Sequence, residues 1–316
     1  MKPTSVISII VAFLLIVAGL ITCFVAQNIA SASGDFIFAE SRGDDLVNTV
    51  EIGQDISKIE LIVQNAEINI FGTSDKSYIE FVNFSENYYS LSQSNTIISF
   101  DEIPDLKSML KFWENGFSFK GMRYILNFNK QSDNAEKVIN VYLKADQLLK
   151  IFDIQANICT VNINEIEIDC DYKINANDIS INASTLKTGG TLNINSGDKE
   201  EAANKVSMNI SYSLIKNLNI SSKELITDID LFKLSGNSNI TCDSGDISFK
   251  FITDPTLMNL DIKTDGYLTV AGNDYMSSYV HAGNPDSQYS MKISSKNADI
   301  SISKASTPAT QAQNNE

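Results

Sequence analysis

Hydrophobic and polar residues alternate in short segments over most of the chain, from residue 50 to residue 304. In one such segment, Ile68 and Ile70 flank Asn69. Alternation with a period of two is typical of β-strands that bury one face. Short breaks rich in Gly, Asn, Asp and Ser, which favour turns, separate the segments. The pattern therefore predicts an all-β domain over residues 50–304.

An internal repeat accompanies this alternation. In four segments a small or polar pair and an acid precede an Ile, a small polar residue and a second apolar residue: Asn65–Ile70, Ala176–Ile181, Ser244–Phe249 and Asn297–Ile302. Strand units recur about every 10–20 residues, which is typical of stacked repeats. We therefore predict a parallel β-solenoid, in which successive coils stack about 4.8 Å apart. A β-sandwich is the alternative fold, since it shows the same alternation.

The solenoid prediction fixes which side chains point inward. The expected apolar column consists of Ile68, Ile70, Ile179, Ile181, Ile247, Phe249, Ile300 and Ile302. The residues between them should point outward, because successive side chains of a strand face opposite ways; these are Asn69, Ser180, Ser248 and Ser301. Asn residues at repeated positions should form amide ladders between coils. Gly, Asn and Asp are expected at the corners.

Residues 83–135 interrupt the regular pattern and are predicted to be an insert. We expect strands at Thr96–Asp101 and Met122–Phe128, and a short helix over Ile103–Trp113. Four aromatic residues are interpreted as a hydrophobic cap, with a ligand-binding aromatic patch as the alternative; they are Phe112, Trp113, Phe117 and Phe119.

An apolar run, Val6–Ala26, precedes the β domain. As a helix it would extend roughly 30 Å, which matches the hydrocarbon core of a membrane. Lys2 lies on its N-terminal side, and the next basic residue is Arg42. Basic residues favour the cytoplasmic side. The run thus predicts a single-pass signal anchor in the cell membrane, with residues 1–5 in the cytoplasm and the β domain outside the cell.

The segments flanking the β domain lack its periodicity. Residues 27–49 are predicted to form a stalk, and residues 305–316 a disordered tail. Ala30–Ala32 has the small-x-small form of a signal-peptidase site. Secretion after cleavage near Ala32 is therefore the alternative localisation.

The charge balance excludes one class of partner. The formal net charge is −15, and no cluster of Lys or Arg is visible. Nucleic acids and anionic lipid headgroups are bound through such clusters. We therefore predict no nucleic-acid partner, and membrane attachment only through the N-terminal helix.

Catalytic and metal-binding patterns are weak, so we predict no catalytic residue, no cofactor and no metal. The only histidine, His281, lies in a segment rich in Gly, Asn and Pro and is interpreted as a solvated loop residue. Glu165, Glu167 and Asp169 lie at alternate positions and are interpreted as a solvated strand face, with a Ca²⁺ site as the alternative. Lys187–Gly190 is interpreted as a turn between strands.

Cysteines and short motifs also favour structural interpretations. Cys23 lies in the apolar run, and Cys159, Cys170 and Cys242 are expected to be small buried hydrophobic residues. A Cys159–Cys170 disulfide is the alternative. Arg42–Asp44 matches an integrin-binding tripeptide in the stalk, which arises easily by chance. Five Asn-x-Ser/Thr sequons are attributed to Asn- and Ser-rich strand faces; they begin at Asn83, Asn182, Asn209, Asn219 and Asn239.

Part of the chain resembles a known bacterial family. Val138–Leu143 leads to Leu149–Ile151, and repeated short strands follow that end in Asn-Asp-Ile-Ser-Ile or Ser-Gly-Asp-Ile-Ser-Phe. These segments resemble proteins with the DUF4097 domain, which are described as adhesin-like β-solenoids, and the resemblance covers residues 56–302. It implies no catalytic residues.

The pattern and the resemblance together predict a non-enzymatic interaction module at the cell surface, adhesin-like, that binds an unidentified polymer or protein of the cell envelope. The alternative is an accessory protein, sensor or scaffold, of a bacterial envelope-stress signalling system.

Overall fold

The computed structural model describes residues 47–72, 75–84, 89–102, 136–197, 204–276 and 278–306. These residues form an all-β structure in which the only helical element described is a 3₁₀ turn, Pro255–Leu257. The strands before the gap at 103–135 are β1 (Val47–Glu51), β2 (Lys58–Ile62), β3 (Asn65–Phe71), β4 (Tyr78–Val82), β5 (Tyr89–Gln93) and β6 (Ile97–Glu102).

Fifteen further strands follow this gap. Seven of them precede the gap at 198–203 or follow it directly: β7 (Val138–Tyr142), β8 (Ile151–Gln155), β9 (Ile158–Asn164), β10 (Asp171–Ala176), β11 (Asp178–Ser184), β12 (Lys187–Ser196) and β13 (Lys205–Ser211). The remainder are β14 (Leu214–Ser221), β15 (Glu224–Leu234), β16 (Asn237–Phe251), β17 (Asn259–Lys263), β18 (Leu268–Val270), β19 (Asn273–Tyr275), β20 (Tyr279–Gly283) and β21 (Ser290–Lys304).

The strands pair into two ladders. Along the chain, consecutive strands of the repeats belong alternately to the first ladder and to the second. The first ladder runs β6–β2–β8–β10–β12–β14–β16–β21–β17 with all pairs parallel. The second runs β7–β3–β9–β11–β13–β15–β16–β21–β18, again parallel throughout. β16 and β21 are long enough to belong to both ladders. Such parallel stacking of successive repeats differs from the antiparallel sheets of a β-sandwich.

Antiparallel strands lie at both ends of the ladders. β5 pairs with β6, and β1 with β4, which in turn pairs with β7. At the other end, β20 pairs with β17 and β19 with β18. The repeat pattern of the sequence does not predict these end strands. The strand added next to each ladder, which is β5, β4, β20 or β19, therefore runs opposite to the stack, whereas β1, beyond β4, runs in the direction of the stack again.

The predicted inward and outward positions are confirmed. All eight residues of the expected apolar column are buried, at 3% exposure or less, and belong to one hydrophobic core cluster of the described residues. Asn69, Ser180 and Ser248 are half-buried between them, and Ser301 is exposed. The core therefore consists of the alternate apolar residues of both ladders.

The predicted alignment of the four repeat segments is wrong by two residues for one of them, Ala176–Ile181. Ile247 pairs directly with Ile300, as the motif predicted. Ile68, however, pairs with Val161, which pairs with Ile181 rather than Ile179. Since side chains alternate with a period of two, a shift of two residues leaves every side chain on its predicted face.

We use the word coil for one first-ladder strand together with the second-ladder strand that follows it in the chain. The turns that connect these strands, called corners, are of two kinds. Between the ladders, Asn177 Nδ2 donates to Asn157 Oδ1 at 2.7 Å, so stacked Asn side chains occupy this corner as predicted. The corners after β9, β11 and β13, and one position within β15, are left-handed, but their residues are not the predicted Gly, Asn or Asp. They are Glu165 (φ 53°), Thr185 (φ 59°), Tyr212 (φ 50°) and Leu231 (φ 50°).

Hydrogen bonds between coils accompany the left-handed corners. The backbone N–H of Glu165 donates to the Ser184 carbonyl at 3.0 Å, and that of Thr185 to the Ser211 carbonyl at 3.1 Å. Each bond joins one coil to the next and holds a backbone conformation that ordinary residues disfavour. Tertiary pairing therefore determines this corner, and the local sequence does not signal it.

The predictions for individual segments are confirmed in one case, shifted in another and outside the described residues in the rest. The strand predicted at Thr96–Asp101 is β6. The first strand, β1, begins inside the predicted stalk at Val47. Other predictions lie outside the described residues: the helices at 6–26 and 103–113, the strand at 122–128, the aromatic residues at 112–119, the tripeptide at 42–44 and most of the tail. The described part of the chain contains no apolar helix of membrane-spanning length.

Candidate binding faces

An amide ladder crosses four strands on the outer side of the second ladder. Asn69 Nδ2 donates to Asn140 Oδ1 at 3.0 Å, Asn162 Nδ2 to Asn69 Oδ1 at 2.8 Å, and Asn182 Nδ2 to Asn162 Oδ1 at 2.9 Å. The four residues are registered partners on β7, β3, β9 and β11. The predicted stacking of Asn side chains between coils is thereby confirmed.

The same surface contains an uncharged block that we call the second-ladder face. It spans three outward positions on each of β9, β11 and β13: Thr160, Asn162, Asn164, Ser180, Asn182, Ser184, Ser207, Asn209 and Ser211. None of the nine is buried. A soluble surface carries roughly 25–35% charged residues, so nine positions would ordinarily include about two or three charges.

A second uncharged block, the first-ladder face, lies on β12, β14 and β16. Its residues are Thr191, Asn193, Asn195, Asn217, Asn219, Ser221, Asn237, Asn239 and Thr241. Here Asn219 Nδ2 donates to Asn193 Oδ1 at 2.9 Å. Exposed lysines lie on both sides, since Lys173 pairs with Asn193 and Lys292 with Asn239. The two faces thus share their chemistry and differ in their neighbours.

Three aromatic rings form a row beside the amide ladder. The centroid of Tyr142 lies 5.1 Å from that of Phe71 and 4.4 Å from that of Tyr78, and all three rings are stacked. Burial, followed by the nearby charge of Glu80, raises the pKa of the Tyr142 phenol. Phe71 is also the registered neighbour of Asn164, so this aromatic row joins the second-ladder face directly.

Tyr78 also lines a shallow depression of about 590 Å³. Carboxylates of Glu51, Asp75 and Asp146 and the Lys144 ammonium lie around it. Lys144 Nζ lies 3.3 Å from Asp146 Oδ1. The depression is therefore open and bordered by charged groups, with one aromatic wall that it shares with the aromatic row.

The predicted carboxylate row is exposed. Glu167 Oε2 lies 3.4 Å from Lys187 Nζ, and Asp169 Oδ1 accepts a hydrogen bond of 2.6 Å from the Gly189 N–H. The predicted strand face is wrong, since β9 ends at Asn164 and β10 begins at Asp171: Glu165 occupies a left-handed corner, and Glu167 forms only an isolated bridge with Lys187. Within the described residues, no group of three His, Cys, Asp or Glu side chains is arranged to hold a metal ion.

Two further local interpretations are wrong. His281 lies on strand β20, exposed and paired with Asp261, because buried Val280 and Ala282 alternate with it. Lys187–Gly190 begins strand β12 and contains a register shift after Thr188. Glycine is required at Gly190, since an added Cβ would lie 2.1 Å from the Cys170 carbonyl oxygen.

The three cysteines in the described residues are free and buried, as predicted. Burial raises the pKa of the Cys159 and Cys170 thiols to about 12. Burial also raises the pKa of Cys242. These thiols behave as small hydrophobic side chains in the core.

Sequence reasoning missed the uncharged blocks as sites, although a signal was available. Thr160 and Asn162, Ser180 and Asn182, and Ser207 and Asn209 form the same hydroxyl-x-amide pattern on three strands. Four of the five sequon asparagines lie on the two faces: Asn182, Asn209, Asn219 and Asn239. Asn- and Ser-rich strand faces do generate these sequons.

Comparisons with known proteins add little about function. No protein-family model matches the chain, and no curated protein matches it. The crystal structure of a "putative cell adhesion protein" from Clostridium sporogenes ATCC 15579 matches with 12% sequence identity and a TM-score of 0.33. The match covers 83% of this chain and 100% of that one. At this level the likeness carries no argument, and the resemblance to DUF4097 proteins stays a prediction.

Proposed function

We propose that this chain is a non-enzymatic, adhesin-like interaction module that binds a polymer or protein of the cell envelope. In this proposal residues 6–26 anchor it in the membrane, and the β domain lies outside the cell. The stacked coils then form a parallel β-solenoid of the kind that the resemblance to DUF4097 proteins implies.

The observation that carries the proposal is the pair of uncharged faces on a chain of net charge −15. Each face presents amides and hydroxyls at strand spacing, about 4.8 Å. Because regular β pairing fixes their backbone, little conformational entropy is lost when a ligand binds. A rigid, uncharged, hydrogen-bonding surface suits recognition of an extended polar partner.

The non-enzymatic part of the proposal draws on the environment of reactive groups. A nucleophile needs an adjacent base or a lowered pKa. The pKa of the buried Cys159 and Cys170 thiols is instead raised to about 12, which keeps them protonated. His281 is exposed on the outer side of β20, across from the Asp261 carboxylate and away from these thiols.

Co-sedimentation with envelope fragments tests the binding proposal. The full-length chain, purified in mild detergent, is mixed with lipid-extracted envelope fragments at about 1 M NaCl, where the Debye length is roughly 3 Å. The chain is expected in the pellet. A chain that stays in the supernatant would contradict the proposal.

Charged variants connect binding to the two faces. Ser180→Glu combined with Asn219→Glu places one carboxylate on each face and should abolish sedimentation. Ser248→Glu combined with Ser301→Glu adds the same charge on the second ladder beyond the uncharged block and should sediment like the parent chain. Equal loss in both double variants would show that the faces are not the binding surface.

A further inference from the structure

The second-ladder face and the aromatic row form one continuous surface. Asn69 and Phe71 are alternate residues of β3 and so point to the same side. Asn69 belongs to the amide ladder and Phe71 to the aromatic row. Apolar ring surface and amide groups therefore lie side by side from β4 to β13.

The amide ladder leaves half of its hydrogen-bonding capacity unused. An Asn side chain has two N–H donors and a carbonyl oxygen with two lone pairs. Asn69 donates once to Asn140 and accepts once from Asn162 along the ladder. The second N–H and the second lone pair of such an amide are oriented away from the ladder bonds. A ligand that supplies both donors and acceptors, as hydroxyl groups do, matches this array.

Charge limits the class of ligand. The nine residues of the second-ladder face include no Lys or Arg, and Lys205, the next outward residue of β13, is paired with Glu224 at 2.9 Å. A phosphate or carboxylate polymer would therefore find little counter-charge on this face. Glu67 and Glu80, on neighbouring strands, already accept hydrogen bonds from the ladder at Asn162 (3.0 Å) and Asn140 (3.4 Å). These carboxylates disfavour anions further. A protein partner is also disfavoured, because interface cores are rich in aromatic residues and Arg rather than Ser and Asn.

The aromatic row supplies what the polar block lacks. Pyranose rings present an apolar C–H face and a rim of hydroxyl groups. Half-buried Phe71, Tyr142 and Tyr78 offer apolar edges beside the amides, and Tyr78 continues into the depression. Tyrosine suits such mixed contacts, since its ring is apolar and its hydroxyl polar. On the first-ladder face, by contrast, the registered neighbours of the amides Asn193 and Asn239 are the lysines Lys173 and Lys292.

From these contacts we infer that the second-ladder face binds a neutral glycan, laid across the strands from Tyr78 to Ser207. The inference rests on the proposed function and names its ligand class and its face. Amides of the ladder bind the hydroxyl or acetamido groups of the glycan, and the aromatic row packs against its C–H faces.

Retention on immobilised polysaccharides tests the inference. The full-length chain in mild detergent is passed over cellulose and chitin, which are neutral, and over polygalacturonate, which is anionic, at about 1 M NaCl. Retention is expected on at least one neutral polymer and not on polygalacturonate. Retention on polygalacturonate alone would overturn the inference.

Two pairs of variants locate the site. Asn182→Asp should weaken retention at least about tenfold, the effect of one hydrogen bond of ordinary strength. Asn177→Asp breaks an equivalent amide pair at a corner outside both faces, with the same change in charge, and should leave retention unchanged. Tyr78→Ala should weaken retention, whereas Tyr267→Ala, which removes an 84% exposed tyrosine elsewhere, should not. Equal effects within either pair would refute the site.

Separate control experiments distinguish a loss of folding from a loss of binding, and the glycan inference from the proposed function. Thermal unfolding is measured for each variant, and Ser207→Asp, which has no ladder amide to lose, replaces Asn182→Asp if that variant unfolds. Co-sedimentation with lipid-extracted envelope fragments is measured in parallel. A chain that binds the fragments but neither neutral polymer refutes the glycan inference and leaves the proposed function intact. A chain that binds neither fragments nor polymers refutes both.

Discussion

The substitution Ile181→Asp places a carboxyl group in the apolar interior of the second ladder. Ile181 has 0% exposure and lies between its registered partners Val161 and Met208. The matched control is Ser180→Asp, one residue away on the same strand, where the side chain points outward. The two variants introduce the same carboxyl group and differ in the face that receives it.

The expected cost follows from two contributions. Losing the buried Ile side chain removes about 2 kcal/mol of hydrophobic stabilisation. A carboxyl group without a partner in this column must be protonated, and moving its pKa from about 3.9 to above 7 costs about 4 kcal/mol at neutral pH. The total of about 6 kcal/mol is comparable to the whole stability of a typical domain, about 5–15 kcal/mol. Ser180→Asp should change stability by about 0.5 kcal/mol or less.

The cost at Ile181 should depend on pH with a definite sign. The folded state raises the pKa of the new carboxyl group, so the folded state binds its proton more tightly than the unfolded state. The penalty is therefore largest above the folded pKa and decreases as the pH falls toward the unfolded value of about 3.9. Between about pH 7 and about pH 5, Ile181→Asp should regain about 3 kcal/mol relative to Ser180→Asp.

Urea denaturation of the parent chain and both variants at the two pH values measures these free energies. Taking differences between the variants cancels the pH dependence that they share with the parent chain. Equal destabilisation by the two substitutions would refute the inward and outward assignment. A gap that does not narrow at lower pH would refute the claim that the carboxyl group introduced by Ile181→Asp is buried without a partner.

Three further predictions concern other residues. Cys159 and Cys170 should resist a thiol reagent at mildly alkaline pH in the folded chain and react once it is unfolded, because their pKa of about 12 keeps them protonated; peptide mapping that finds either one labelled in the folded chain would contradict this. Gly245→Ala should cost about 3 kcal/mol or more in thermal unfolding, since φ is +145° and an added Cβ would lie 1.8 Å from the Leu225 carbonyl oxygen. Gly272→Ala, at φ +80° with open space around the Cβ, should cost only about 1–2 kcal/mol, and equal costs would argue against the close approach at Gly245. His281→Ala should leave any activity on a panel of glycans, esters and peptides unchanged, and a folded variant that loses activity would count against a non-enzymatic module.

The sequence was most informative about which side chains are buried. Alternation placed Ile181 inside and Ser180 outside, because a strand has only two faces and the apolar one avoids water. It could not align the coils. The motif matched Ile68 to Ile179, whereas Val161 in the structure connects Ile68 to Ile181, and a two-residue offset changes no side chain's face.

Corners and sites were harder to predict for a related reason. Thr185 at a left-handed corner gives no local signal, since a hydrogen bond to the next coil holds its backbone. The second-ladder face likewise depends on the register that pairs Ser180 with Ser207. These residues are 27 positions apart in sequence but lie side by side on the paired strands β11 and β13. The Ser, Thr and Asn residues of this face are visible in the sequence, but only the pairing of the coils shows that they form one continuous surface.

Crosslinking in living cells tests the binding face most directly. A photoreactive amino acid is introduced at Ser180, in the middle of the second-ladder face, or at Glu167, whose side chain is 74% exposed outside both uncharged blocks. Irradiation should attach the Ser180 variant to envelope glycan, detected as a mass increase that a glycan-digesting enzyme removes, and should leave the Glu167 variant unattached. Equal attachment at both positions, or none at Ser180, would contradict a role for this face in binding the envelope.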